Sequence, residues 1–322
     1  MKQRIVYVDA AKGILIVLMV AAHVFQNSFF FDFAYSFHMM AFFFISGMML
    51  NYSSAIRKPY WQLVQSKLRT MLIPLCFFEL LGILRDLIRF GFSQNLKGFL
   101  YNTVSLRFNN GVLWFLFVLL VGELLCIPLL RLLRKRIWIA AAAAFMLVFS
   151  FFLPEDPYVL IVLRNILRGS FFLCIGYLAE PWCDHDRFPT TVICAAVLIL
   201  TTALGLNTSI MVRGFRMLPL FVLEALCGTE LVLQLGRLPL FRFLCPVGEN
   251  SLVIYGTHSL FYVIIGHWLS FDFTAISLGN GLLVLFFVAL VEVPTVLFIN
   301  RFLPFLAGKR YPRRKSNIHS TS

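Results

Sequence analysis

The sequence predicts an all-α integral membrane protein, a bundle of about ten transmembrane helices with both termini in the cytoplasm. Two observations lead to this fold class. Of the 322 residues, 60% are hydrophobic and only 13% are charged, about half the charged fraction of a typical soluble domain. Long apolar runs also recur along the whole chain, and about 20 such residues are needed for a helix to cross the hydrocarbon core.

Each predicted span is an apolar stretch long enough to cross a bilayer. The stretches lie near residues 8–27, 34–52, 70–90, 111–131, 137–153, 159–179, 190–206, 215–235, 248–268 and 279–300. The first carries ionisable residues and is not followed by a small-residue cleavage site, which favours a retained helix over a signal peptide. We expect one membrane domain over residues 1–308 and a basic cytoplasmic tail over residues 309–322.

The basic residues set the predicted orientation. They cluster before the first span and after the second, fourth, eighth and tenth spans, and loops rich in Lys and Arg face the cytoplasm. Two outward loops break this pattern at Lys97, Arg107 and Arg213, which are candidate contacts for an anion on that side. The net charge of +13 is spread over these loops rather than gathered in a basic domain, so nucleic acid is not an expected partner.

The cysteines argue against a disulfide framework and against a zinc site. Nearly all of the seven Cys residues lie inside apolar runs, and none forms a Cys-x-x-Cys pair. Nothing in the sequence suggests a metal or a permanently bound cofactor, and we expect none.

The first span carries the most informative ionisable residues. Charged side chains inside a membrane helix are costly, and each is therefore a candidate functional residue. Asp9 and Lys12 are three residues apart and share a helix face. His23 follows Lys12 by eleven residues, which is three turns on the same face and roughly 16 Å of helix rise. A cation at the cytosolic mouth could hold the phosphates of a CoA nucleotide, and the thioester could then reach an imidazole three turns deeper.

Two interpretations of these residues remain open. Asp9 and Lys12 could be a structural pair at the membrane edge, with His23 a hydrogen-bonded core residue; or His23 could be a general base or an acyl-carrying nucleophile. The second span favours the catalytic interpretation, because His38 near its outer start lies at a similar depth to His23. Gly47, in the same span, is expected to let two helices approach closely.

These motifs resemble the opening of the type-3 acyltransferase family, the membrane O-acyltransferases of bacterial envelopes. The resemblance is carried by Asp9-x-x-Lys12-Gly-Ile, by His23, and by the stretch from Phe37-His38 to Ser46-Gly47. It is closest to the sugar O-acetylase-like branch, in which a basic residue, ten intervening residues and a histidine mark the first helix.

Three later segments resemble the same family. Lys67-Leu-Arg69 resembles its basic entry to the third span, and Leu113-Trp114-Phe115-Leu116 its aromatic start to the fourth. The stretch from Gly248 to His258 resembles its closing motif. The residues of that motif that become candidates for substrate binding are Glu249, Asn250, Ser251, Tyr255 and His258.

The resemblance implies a membrane enzyme that takes an acyl group, most commonly acetyl, from cytosolic acyl-CoA. The implied acceptor is a hydroxyl of an envelope sugar or glycan precursor, presented from the outer side of the cell membrane. His23, helped by His38 or Asp9, would promote the transfer. Lys12, Lys67 and Arg69 would surround the CoA phosphates.

Several further side chains have both a functional and a structural interpretation. Arg164 and Arg168, four apart in the sixth span, could line an acceptor cavity. Trp114 could be a substrate platform or an interfacial belt residue, and His258 could be structural. Glu79 and Glu123 could pair with a cation or stay protonated.

Two other functions compete with the acyltransferase at this stage. A transporter or exporter of a polysaccharide precursor or small solute could use buried His and Glu residues as a proton relay. A sensor or assembly component could keep the fold without chemistry. The residues alone do not identify the acceptor, the acyl group or the oligomeric state.

Overall fold

The computed structural model describes residues 5–52, 55–90, 102, 105–180 and 188–309. Every regular element in these residues is helical, which confirms the all-α class. The helices are α1 (Val6–Val24), α2 (Phe29–Tyr35), α3 (His38–Tyr52), α4 (Tyr60–Lys67), α5 (Ile73–Phe90), α6 (Trp114–Leu132), α7 (Arg136–Ser150), α8 (Tyr158–Ala179), α9 (Phe188–Ala203), α10 (Leu218–Arg237), α11 (Cys245–Glu249), α12 (Ser251–Trp268) and α13 (Leu278–Phe302).

Each predicted span overlaps at least one of these helices. Six segments of the described chain are long and apolar enough to cross a membrane, namely Val6–Val24, Phe29–Asn51, Gly111–Leu132, Tyr158–Ala179, Phe215–Arg237 and Leu278–Phe302. Of the others, α7 and α9 are short, and α5 is a continuous helix whose apolar sequence is interrupted by Glu79, Arg85 and Asp86. The chain is thus a helical, multi-pass membrane protein, whereas the count of ten spans and the cytoplasmic termini stay predictions. Lys97 and the basic residues near both termini, except Lys309, lie outside the described residues.

The second predicted span consists of two helices rather than one. Ser28 caps the start of α2, where its hydroxyl accepts a hydrogen bond from the Phe31 amide at 3.1 Å. At the end of α2, the Ser36 hydroxyl donates to the Phe33 carbonyl at 2.8 Å, a local bond that competes with helix continuation. The break makes His38 the first residue of α3.

The third predicted span begins earlier than the apolar pattern suggested. α4 starts at Tyr60, after Pro59, and runs through a π-helical segment, Leu68–Leu72, into α5. Single π-helical turns within α-helices are common at functional sites. This turn contains Arg69, whose side chain is exposed.

Helix α1 lies at the centre of the bundle, in contact with α3, α10, α11 and α12. A Cβ atom at Gly248, in α11, would overlap the carbonyl oxygen of Asp9 in α1. Only glycine therefore allows these two backbones to approach so closely. Gly47 plays the predicted packing role, since its Cα faces the backbone of Leu173 in α8.

We expect Gly248→Ala to lower the free energy of unfolding by about 1–3 kcal/mol, because the added methyl group must push α11 away from α1. Thermal unfolding in detergent measures the effect. The matched control is Gly279→Ala in α13, where a Cβ would meet open space. Both changes bring the same gain in helix propensity, so equal melting temperatures for the two variants would contradict this packing.

Candidate active site

Helix α1 carries both ends of the candidate site. Following the predicted orientation, we call the end of α1 that carries Lys12 the inner end and the end that carries His23 the outer end. The eleven-residue interval between them lies in one unbroken helix, which fixes their separation along the axis at about 16 Å. Asp9 lies beside Lys12 on the inner side, about 21 Å from His23 along the same axis. Asp9 can therefore act at the inner end only.

The inner end holds a cluster of four charged side chains. Lys67, at the end of α4, forms an ion pair with Glu123 of α6. Lys12 lies within electrostatic range of both of these residues and of Asp9. Glu123 is buried, and losing the Lys67 ammonium would leave its charge uncompensated. Two of the predicted phosphate ligands, Lys12 and Lys67, thus belong to a cluster whose two positive and two negative charges cancel. The third, Arg69, is exposed and lies two residues after Lys67.

The outer end of α1 borders a cavity of about 370 Å³. This volume lies in the range of small-molecule sites. Four of the residues proposed from the sequence line it: His23, His38, Trp114 and Tyr255. Met19, one turn inward of His23, lines it as well, so the cavity reaches to within seven residues of Lys12, about 10 Å of helix rise.

His38 has a fixed tautomer. Its Nδ1 lies 2.7 Å from the carbonyl oxygen of Ala34, and because a carbonyl oxygen can only accept, Nδ1 carries the hydrogen. In the neutral ring, Nε2 is then the proton acceptor. The ring is buried and packs edge-on against Tyr35, with 4.8 Å between the centroids. The break between α2 and α3 thus presents a proton acceptor in the cavity wall.

His23 lies between a tyrosine and a second buried imidazole. Its Nδ1 is 3.3 Å from the Tyr35 hydroxyl, and its ring stacks on Tyr262 with the centroids 5.9 Å apart. The ring of His258 is 5.3 Å away. His258 donates from Nδ1 to the carbonyls of its own helix at 2.9 and 3.0 Å, and its buried Nε2 has no hydrogen-bond partner among the described residues. The structure therefore brings His258 next to His23, although His258 does not itself line the cavity.

A polar network fixes part of the cavity wall. The Glu79 carboxylate accepts hydrogen bonds from the backbone and side-chain amides of Asn109 at 2.8 and 2.7 Å, and from the Asn110 amide at 3.1 Å. Asn110 in turn accepts from the Ser259 hydroxyl at 2.6 Å and donates to the Gly256 carbonyl at 2.9 Å. Glu79 thus ties α5 and the start of α6 to α12.

The outward loop over residues 207–214 covers the cavity, to which it contributes Ser209, Ile210 and Met211. Arg168, from α8, donates to the Ile210 carbonyl at 2.5 Å and to the Ser150 hydroxyl at 3.1 Å. Glu224, from α10, accepts from the Thr208 amide at 2.8 Å. Arg168 and Glu224 are both buried, so they hold the loop from the interior of the bundle.

The two arginines predicted to line an acceptor cavity do not line this one. Arg168 holds the covering loop, and Arg164 lies 3.8 Å from the Glu155 carboxylate. Glu155 also pairs with Arg213 of the covering loop at 2.9 Å. The loop charge at Arg213 is therefore part of an ion-pair network.

The closing motif is divided between the two ends of the bundle. Tyr255 and His258 lie near His23, with the Tyr255 hydroxyl bonded to the Val112 carbonyl. The other candidates lie where α11 meets α12: Glu249 ends α11, Asn250 forms the turn and Ser251 begins α12. Asn250 accepts from Asn300 at 2.7 Å and from Lys309 at 2.9 Å, so this turn is bonded to the end of α13 and lies away from the cavity.

Sequence reasoning missed several cavity residues, notably Tyr35, Arg85, Asn109 and Tyr262. The two tyrosines had a detectable signal, because Tyr35 precedes His38 by three residues and Tyr262 follows His258 by four. Side chains at these intervals are neighbours on a helix face. Asn109 and Arg85 gave no such signal, since their placement depends on contacts between different helices.

We expect Arg168→Met to loosen the covering loop, because it removes a charge-assisted hydrogen bond worth about 1.5–3 kcal/mol. With Ser209→Cys as reporter, a membrane-impermeant maleimide should label the introduced thiol about tenfold faster in the Arg168→Met background. The control background is Arg134→Met, an exposed arginine before α7. Equal labelling rates in all backgrounds would show that Arg168 does not hold the loop.

Comparison with known proteins assigns the chain to a family. Residues 5–299 match the acyltransferase domain family. The nodulation protein NolL of Mesorhizobium japonicum is 28% identical over 186 residues, which cover 54% of this chain and 47% of that protein. The match therefore spans about half the length of this curated relative. No solved structure matches the chain significantly. Because the family match extends over most of the sequence and includes the histidines of the cavity, the protein belongs to the type-3 acyltransferase family.

Proposed function

We propose that this acyltransferase moves an acetyl or similar acyl group from cytosolic acyl-CoA to a hydroxyl of an envelope sugar or glycan precursor, in the cytoplasmic membrane. The observation that carries the proposal is the cavity wall shared by His23 and His38 at the outer end of α1. Lys12, Lys67 and Arg69 at the inner end of the bundle support binding of the donor phosphates on that side. Membership of the family supports an enzyme over a transporter.

The inner cluster suits the nucleotide end of the donor. Lys12, Lys67 and Arg69 supply positive charge near the start of the membrane domain, and phosphates bind such groups through charge-assisted hydrogen bonds. Phosphate binding would compete with Glu123 for Lys67 and with Asp9 for Lys12. An extended pantetheine arm would then carry the thioester toward Met19 and the cavity.

The cavity suits an alcohol as the second substrate. Asn109, Ser209 and Ser259 line it with hydrogen-bonding groups, and a few polar groups in a largely apolar wall are typical of sites that orient a small ligand. In the predicted topology, the covering loop faces outward. The acceptor would therefore approach from the side opposite to the donor.

His38 is the better placed general base, because its Nε2 is the acceptor in the neutral ring. In the proposed step, Nε2 takes the hydroxyl proton while the acceptor oxygen attacks the thioester carbonyl carbon. The carbon–sulfur bond then breaks, and the CoA thiolate leaves and receives the proton from the imidazolium. His23, between Tyr35 and His258, would orient the thioester or carry the acyl group in a two-step transfer.

We expect His38→Ala and His23→Ala each to lower kcat/KM by a factor of about 100–10,000, which is the usual contribution of a positioned base or nucleophile. Purified protein in vesicles, supplied with radiolabelled acetyl-CoA and an envelope glycan extract, provides the assay. The labelled product is counted in the polysaccharide and lipid fractions.

The control for this experiment is Phe145→Ala, which removes an exposed ring from α7, at a distance from the cavity. Thermal unfolding confirms that each histidine variant is folded. Full activity in both histidine variants would refute the proposed site. Solute flux through the vesicles without acyl-CoA, together with no label transfer, would favour the transporter instead.

We expect Lys12→Gln to raise KM for acetyl-CoA by about tenfold or more with a smaller change in kcat, because a charge-assisted hydrogen bond contributes about 1.5–3 kcal/mol. Acetyl-pantetheine, which lacks the nucleotide, is the internal control. Its KM should be the same for the wild type and the variant. A change in KM of the same size for both donors would show that Lys12 does not recognise the phosphates.

A further inference from the structure

A second, larger cavity lies beside the candidate active site. It is a groove of about 640 Å³ between α5, α12 and α13. Its walls are mainly apolar, and among them are Leu81, Leu84, Phe261, Ile264, Phe298 and Leu303. We call it the α5–α13 groove. Leu84, Ile264 and Phe298 are largely exposed, so the groove is open at the side of the bundle that faces lipid.

The α5–α13 groove adjoins the histidine cavity. Arg85 and Val263 line both of them, so these two side chains form the boundary. An apolar chain in the groove and a polar group in the cavity would meet at the Arg85 guanidinium. Of the two boundary residues, Arg85 carries a positive charge and Val263 is apolar.

Arg85 is held in place by the protein. Its Nε and Nη2 lie 2.8 Å from the Asp86 carboxylate, and Nη2 also donates to the Asn109 carbonyl at 2.8 Å. Within the described residues, these bonds leave the hydrogens of Nη1 available. A guanidinium with donors in a rigid plane is suited to a phosphate.

The groove is also long. Phe77 and Ile88 both line it from α5, and eleven residues of helix span about 16 Å. Leu303, which follows the last turn of α13, lines it too. A cleft of this length and polarity fits a hydrocarbon chain and offers a sugar ring few hydrogen bonds.

We propose that the acceptor is a sugar linked through phosphate to a single polyprenyl chain, with the chain in the α5–α13 groove. The phosphate lies against Arg85, and the sugar extends into the cavity beside His38. The order of chain, phosphate and sugar in such a molecule matches the order of groove, guanidinium and histidine cavity. This inference rests on the proposed function and deepens it, because it assigns the class of acceptor.

A glycolipid without a phosphate would leave the Nη1 hydrogens of Arg85 without a strong acceptor at the boundary, and a water-soluble sugar would leave the groove unused. Both are therefore poorer fits. The site also predicts how the acceptor arrives, since a chain that occupies the α5–α13 groove enters sideways from the bilayer.

The experiment compares acceptors and groove variants. The probes are a polyprenyl-phosphate-linked monosaccharide, a diacylglycerol-linked form of the same sugar and its methyl glycoside. With radiolabelled acetyl-CoA, the wild type should prefer the polyprenyl probe by at least tenfold in kcat/KM. Leu84→Trp and Ile264→Trp fill the groove, and each should raise KM for the polyprenyl probe about tenfold while KM for the methyl glycoside stays unchanged.

Leu200→Trp is the matched control, because it places the same side chain at an exposed position of α9, a helix that packs on α2 and α10. It should leave all three KM values unchanged.

Three results would each overturn the inference and leave the proposed function standing. They are equal use of the methyl glycoside, preference for the diacylglycerol probe, and groove variants that behave like the control. A folded wild type that labels none of the three sugars would overturn the assignment of a sugar acceptor itself. The wild-type comparison remains decisive if a groove variant fails to fold.

Discussion

The rest of the site depends on one rigid distance along α1. An unbroken helix holds the Lys12 ammonium and the His23 imidazole about 16 Å apart, and both ends of α1 are fixed by close packing. Near Lys12, the Gly248 backbone lies against the Asp9 carbonyl. At the other end, Tyr262 stacks on His23. The two functional ends cannot move independently, so a donor that bridges them needs a matching length.

The position of His38 at the outer end comes from a break between two helices. The interruption at Ser36 starts α3 at His38 and leaves the Ala34 carbonyl as partner for its Nδ1. That partner determines which ring nitrogen accepts a proton. Around the histidines, the covering loop contributes Ser209, Ile210 and Met211 to the cavity wall, and the Glu79 network positions Asn109 there. Structure away from His38 thus sets which of its ring nitrogens can accept a proton.

Sequence alone predicted the helical membrane class and the residues of α1, because hydropathy and helical spacing are properties of a single segment. It also named His38 and Trp114 as candidates, and the structure places both in the same cavity wall as His23. It did not predict that Glu123 is the partner of Lys67, or that Arg168 holds a loop rather than lining the cavity. These roles depend on which helices are neighbours, and a single sequence does not specify neighbours. The early start of α4 was missed because its sequence is not strongly apolar.

The central claim is that one donor molecule spans the interval from Lys12 to the histidine cavity. The most direct measurement is a structure of the protein in a lipid nanodisc with a non-hydrolysable acetyl-CoA analogue. The account predicts the nucleotide phosphates at the Lys12 and Lys67 cluster, the pantetheine arm along α1 past Met19, and the acyl group within contact distance of His23 or His38. Nucleotide bound elsewhere, or an acyl group that points away from both imidazoles, would contradict it.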